Sequence, residues 1–349
     1  MKSSARQAVF FASLATGLCA AALPARADGL TVTIYGGEWG DALTACVLDP
    51  FTKATGIKIT PEPGVSTITL AKLRQQKGDP SIDVAWIDGG VSEVAAAEDL
   101  LQPLTVKTVP NIANVAPQGI YKTPAGDIYA ISTGFYSMGL VYNTKEVKTA
   151  PTSWWDLEKP EYAGASTVPS PSNAMGVPLF IFLNKLAGGS TTNFEPGVKK
   201  YREMKVSSYF DSSGAATNSF QSGEVIIGAH YASSAWALAD KNLPISYAAP
   251  KEGAPSGDIR VHVVKGTKNL DAALKFADFA IAKEQAGCLA EKVYVAPATN
   301  GVVLSEKAKS RMPWGKDGSL ANLAVIDWVE VNANRQAVND LWNREVARK

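Results

Sequence analysis

The chain has 349 residues, with 34 basic and 33 acidic side chains and two histidines, a formal charge of +1. That near balance leaves no field to attract nucleic acid or an anionic membrane surface. The length exceeds the size at which a single hydrophobic core keeps growing, so two lobes are expected.

The first 27 residues read as a cleavable leader. Lys2 and Arg6 supply a positive start, Ala8 to Leu23 an apolar stretch, and Ala25-Arg26-Ala27 a small-x-small cleavage site. Leu18 stands before Cys19 where a lipid-attachment signal needs a small residue. Removing Lys2, Arg6 and Arg26 leaves 31 basic against 33 acidic residues, a formal charge of −2. No later segment approaches the ~20 uninterrupted apolar residues of a membrane-spanning helix. Export would place Cys46 and Cys288 in an oxidising compartment where a disulfide persists. Pairing and two buried thiols on helix faces both fit the sequence.

Beyond the leader, Leu30 to Tyr35 alternates apolar and β-branched residues and breaks at Gly36-Gly37, which predicts a strand and a tight turn. Asp41 to Thr55 carries apolar residues at Leu43, Val47, Leu48 and Phe51 and stops at Gly56, a helix with a good C-terminal glycine. Ile57 to Thr60 is the next strand, Leu70 to Gln76 a helix, Asp83 to Ile87 a buried strand and Val91 to Leu101 a helix. This βαβαβα order implies a largely parallel sheet covered by helices. Ile128 to Tyr142, rich in Gly, Ser and aromatic residues, suits a strand pair crossing from one lobe to the other. A second α/β unit follows, through Ser166 to Val168, helices at Gly176 to Leu186 and Pro196 to Met204, and a strand at Val225 to His230. A return crossing is expected near Pro250 to Val264, and one or two packing helices over Asn322 to Val346.

Nucleophile and phosphate signatures are missing. The sequence contains no Gly-x-Ser-x-Gly elbow, no His-Glu-x-x-His and no Walker-type loop, and no cofactor-binding motif. His230 and His262 both fall in predicted strands, as packed or hydrogen-bonded residues. Asp88 with Glu38 would be the carboxylate pair of an exported hydrolase, if their spacing allowed it. A ferric-iron carrier would use adjacent tyrosines, whereas Tyr136 sits beside Phe135 and no Tyr-Tyr pair occurs.

Several segments, in order along the chain, resemble the spermidine/putrescine-binding branch of the bacterial extracellular solute-binding proteins. They are Tyr35-Gly36-Gly37, Phe51-Thr52-Lys53-Ala54-Thr55-Gly56-Ile57-Lys58, Gly139-Leu140-Val141-Tyr142-Asn143 and Ser153-Trp154-Trp155-Asp156-Leu157. Pro160-Glu161-Tyr162-Ala163-Gly164, Gly223-Glu224-Val225 and Pro250-Lys251-Glu252-Gly253 complete the series. The resemblance implies a type II periplasmic binding fold: two α/β lobes joined by a hinge, closing over a ligand cleft. It also implies a monomer in the periplasm that hands its solute to the membrane permease of an ABC importer, with no enzymatic step. The lobes are expected over 28–134 with 257–302, and over 135–256 with 303–349.

Such a cleft offers a cationic amine carboxylates for its charge and aromatic faces for its methylenes. By position in the motif order the candidates are Glu38, Trp39, Asp88, Tyr136, Ser137, Tyr231, Asp258 and Tyr294. Asp88 leads, because the carboxyl end of a parallel strand faces the crevice of an open α/β sheet. Arg260 would meet a ligand carboxylate or form a surface ion pair. The segment Pro169-Ser170-Pro171-Ser172-Asn173-Ala174 lacks the acidic residues that polyamine binders tend to supply there. Only one end of a diamine is thus provided for, and monoamines and zwitterions stay open.

Overall fold

Residues 29–312 and 324–347 are described by the computed structural model. The expected leader and its expected cleavage site lie outside the described residues. The first strand, β1 (Leu30–Tyr35), leads through α1 (Gly37–Leu43) and α2 (Asp49–Thr55) to β2 (Ile59–Gly64), then α3 (Ser66–Gln75), β3 (Val84–Asp88) and α4 (Val91–Ala97). β1 lies between β2 and β3 and is parallel to both, the arrangement that alternating strands and helices enforce. The helix expected over Asp41 to Thr55 is split by one π turn, Thr44–Leu48. The wider turn shifts the helical phase, and Leu43, Val47, Leu48 and Phe51 all end buried. Gly56, at φ 71°, closes α2. α4 stops four residues short of the expected Leu101, and Asp99, at φ 58°, cannot continue a right-handed helix.

A short β4 (Ile120–Lys122) precedes the 16-residue β5 (Ile128–Asn143). The second unit contains β6 (Ser166–Pro169), α5 (Gly176–Leu186), α6 (Glu195–Glu203), β7 (Ser208–Phe210), α7 (Ser213–Ser222), β8 (Ile227–Tyr231), α8 (Ala232–Asp240) and β9 (Ile245–Ala248). The chain returns on β10 (Pro255–Val263) and adds α9 (Leu270–Ala280), α10 (Lys283–Val293), α11 (Glu306–Arg311), β11 (Ala324–Val325) and α12 (Trp328–Glu345). Of the terminal stretch expected to hold one or two helices, Asn322 and Leu323 lie outside the described residues and the rest forms one long helix after a two-residue strand.

β5 differs from expectation: one unbroken strand replaces the pair. Ile131 to Ser137 pair antiparallel with β10, which pairs β3 in turn. Met138 to Tyr142 pair with β8. At ~3.3 Å per residue the strand runs about 50 Å, long enough to belong to both lobes. The first sheet is therefore β2-β1-β3-β10-β5 and the second β5-β8-β6-β7, sharing one strand. β10 is buried throughout, and β5 everywhere but at its two ends. Cys46, in the π turn, and Cys288, on α10, are joined in a disulfide across a Cα separation of 5.6 Å, well inside the range such a bond spans.

Candidate functional site

Three strand ends converge where the two sheets meet. Tyr35 ends β1 and Asp88 ends β3, so parallel pairing sets them side by side at the carboxyl edge of the first sheet. Ser66 opens α3 beside them; its Oγ donates to Asp88 Oδ2 at 2.6 Å and accepts from the Asp88 backbone N–H at 3.0 Å. Burial pushes the Asp88 carboxyl up to about 6, against the lowering pull of Ser66 and Tyr35. The Tyr35 hydroxyl lies close to that carboxylate without a well-aligned bond to it.

Tyr136 comes from the half of β5 that pairs with β10 and Tyr231 from the end of β8, and their rings meet edge to face at 5.4 Å. Tyr231 donates to Asn173 Oδ1 at 2.9 Å. The Tyr136 hydroxyl is buried without a hydrogen-bond partner among the described residues. It passes close over Gly257, where a Cβ would stand 2.6 Å from its oxygen, so only glycine fits. Burial first, then the Asp88 charge, raises both phenols well above their ordinary values, so they stay protonated at neutral pH.

Beside this cluster β10 carries a second set of charges. Arg260 Nε donates to both Asp258 oxygens at 3.0 Å, and its Nη1 donates to Glu93 Oε1 at 2.6 Å. The guanidinium lies 3.3 Å over the Tyr121 ring. Arg260 is fully buried, so the surface ion pair considered for it is absent: the charge is held inside between two carboxylates. Its Nη2 has no acceptor among the described residues. Asp88, by contrast, has no ion-pair partner among them.

The remaining predicted residues sit elsewhere. Ser137, next to Tyr136 on the strand, faces the opposite side of the sheet, as alternation requires, and bonds the Tyr247 hydroxyl at 2.9 Å. Trp39 is half-buried, its ring edge against Tyr35 at 6.4 Å. Glu38 is exposed and pairs with Lys241, at the end of α8, across the lobe boundary at 2.9 Å. Tyr294, in the left-handed region at φ 51°, donates to Asp240 at 2.6 Å and accepts from Arg311 at 2.7 Å. His230 and His262 are fully buried, and burial lowers both to about 3. Among the described residues no group of three His, Cys, Asp or Glu side chains could hold a metal ion. A surface hollow of about 240 Å3 lies between Leu73, Gln76, Pro80 and Gly266, and none of its lining residues belongs to the cluster around Asp88.

Sequence reasoning missed Tyr35, Ser66, Asn173 and Glu93 as site residues. Tyr35 and Ser66 had a usable signal, since each adjoins the carboxyl end of a strand parallel to β3. Glu93 had none, because its role depends on an arginine 167 residues away.

Two α/β lobes sharing a crossing strand, with carboxylates and tyrosines gathered at their junction, define a two-lobed binding protein. The chain belongs to the bacterial extracellular solute-binding protein family, whose profile matches residues 47–313. The spermidine/putrescine-binding periplasmic protein of Escherichia coli K12 is 28% identical over 303 residues, 84% of each chain. In structure the chain is similar to a putative extracellular solute-binding protein from Bordetella parapertussis (TM-score 0.74, 24% identity, 92% of this chain and 99% of that one). It is similar also to the spermidine/putrescine ABC transporter substrate-binding protein of Streptococcus pneumoniae (TM-score 0.72, 22% identity, 90% and 99%). The protein binds solute and is not an enzyme.

Proposed function

We propose that this protein is the periplasmic component of an ABC importer and captures a small polar solute bearing one ammonium group. The lobes, 28–134 with 257–302 and 135–256 with 303–349, close on the solute and release it unaltered to a membrane permease. The observation that carries this reading is the contrast in charge at the junction. Asp258 and Glu93 are ion-paired to the Arg260 guanidinium, whereas Asp88 feels that charge only at a distance and forms no ion pair among the described residues, its side-chain bond going to Ser66. A half-buried carboxylate without a cation is costly, and an ammonium ligand would supply the missing charge. Tyr35, Tyr136 and Tyr231 offer ring faces for its carbon chain and for cation–π contact. On the second lobe Asn173 is neutral and already accepts from Tyr231, while Ser170 donates to Asp211. Asp211 is exposed rather than withdrawn from water, so among the described residues this side offers no counterpart of Asp88, which favours a monoamine or a zwitterion over a long diamine.

A thermal-shift screen of polyamines, betaines, amino acids, opines and ferric salts tests this. A true solute at 100 times its Kd adds about 2.7 kcal/mol of stability. Asp88→Ala should abolish the shift and leave the unliganded melting point nearly unchanged. An unaltered shift in that variant removes Asp88 from the site, and stabilisation by ferric salts alone supports the iron-carrier reading instead.

A further inference from the structure

α12 bridges the two lobes. Its C-terminal part belongs to the second: the Trp342 ring packs against Tyr209, Tyr201 and Phe180 at 4.8, 5.2 and 6.4 Å, and Glu345 pairs with Arg202 of α6 at 2.6 Å. Its first turn touches both lobes: Glu330 pairs with Lys185 of α5 at 2.6 Å, while Trp328 faces the other way. Asp327 caps the helix, accepting from the backbone N–H groups of Val329 and Glu330, both at 3.0 Å, and so fixes the direction of Trp328. The buried indole lies against Gly89 and Gly90, the two residues that follow Asp88 in the first lobe. A Cβ on Gly89 would stand 2.2 Å from Trp328 Nε1, and one on Gly90 2.6 Å from Cε3. One turn on, on the same face, Asn332 Nδ2 donates to the Gly90 carbonyl at 2.7 Å.

We infer that Trp328 is a closure clasp: a positioning residue on the second lobe that docks on the Gly89-Gly90 backbone next to Asp88 when the lobes shut and leaves it when they open. Two glycines in a row are what this contact requires, because either side chain would occupy the space of the indole. The seat is also tied to the cleft charges, since the Gly90 N–H donates to Glu93 Oε2 at 2.5 Å and Glu93 holds Arg260. The clasp acts whichever solute the cleft takes.

The test needs no solute. Glu38 and Lys241 meet across the lobe boundary, so a Glu38→Cys, Lys241→Cys pair joined by a short bismaleimide holds the lobes shut. In protein labelled with 5-fluorotryptophan, the 19F resonance assigned to Trp328 through Trp328→Phe should move on cross-linking, and that of Trp342 should not. Trp328→Ala should slow cross-link trapping at least fivefold, Asn332→Ala should slow it less, and Trp328→Phe should restore part of the rate. A Trp328 resonance that stays put, or a trapping rate the same in all variants, overturns the clasp and makes the indole a fixed core residue. Failure of every amine in the thermal-shift screen would sink the solute assignment and leave this result standing.

Discussion

Two carboxylates on neighbouring strands, Asp88 on β3 and Asp258 on β10, stand one residue out of register in the same antiparallel pairing and live in opposite conditions. Asp258 carries its own counter-ion two residues along the strand, and Arg260 reaches both it and Glu93. That group holds its own counter-ions within the fold, although Arg260 Nη2 lacks an acceptor among the described residues. Asp88 is hydrogen-bonded to Ser66, and burial outweighs that bond enough to hold its proton to about pH 6. One carboxylate has its counter-ion within the fold and its neighbour does not, and under the proposed reading the solute's ammonium supplies it.

The sharpest way to break this contrast is Asp258→Ala. It strips a fully buried guanidinium of its bidentate partner, and losses of about 3–5 kcal/mol are typical when one member of a buried pair is removed. Urea unfolding of the unliganded protein should show a loss of that size, whereas Asp88→Asn should be neutral or stabilising. If the two variants destabilise equally, the distinction between a structural and a vacant carboxylate is lost.

Proton linkage sharpens the comparison further. The folded-state value of Asp88, about 6, lies above the ~3.9 of an unfolded aspartate, so the folded protein binds this proton more tightly. Its contribution to stability is absent at neutral pH, grows as pH falls through 6 and is complete below about 4, with a slope of at most about 1.4 kcal/mol per pH unit. Affinity for an ammonium solute should run the opposite way and fall as pH drops below 6. Denaturation midpoints and calorimetric titrations from pH 8 to 5, on wild type and Asp88→Asn, would display the two slopes. A wild-type affinity that is flat across that range would remove Asp88 as the counter-ion.

The smallest effect is expected at the rim. Glu38 and Lys241 are exposed, and such pairs contribute about 0.2–1 kcal/mol. Glu38→Gln should leave stability within that margin and weaken solute binding slightly, with the difference vanishing at 1 M salt. A tenfold loss of affinity would instead make Glu38 a ligand group.

The two-lobe architecture was legible because alternating strands and helices leave a periodic trace, and the return crossing was seen at β10. The place of Asp88, at the carboxyl end of β3, was legible for the same topological reason. Legibility failed where side chains obey distant partners. The Gly- and Ser-rich composition of Ile128 to Tyr142 suited a strand pair, but Gly134 and Gly139 are glycines because a Cβ would meet Val295 at 2.8 Å and the Tyr247 hydroxyl at 2.5 Å. The adjacent candidates Tyr136 and Ser137 could not share a face once the segment became one strand. Tyr294 was drawn away by Asp240 and Arg311, neither of which is near it in sequence.

The sharing of β5 sets how the lobes can move. Its ladder partner changes from β10 to β8 between Ser137 and Met138, with no loop at the handover. Rotation of one half against the other must be spread as small twists over consecutive extended residues, since an abrupt bend would tear the hydrogen bonds on either side. The joint behaves as a torsion spring rather than a door pin, and a proline at Met138, lacking the N–H that the ladder uses, would slacken it.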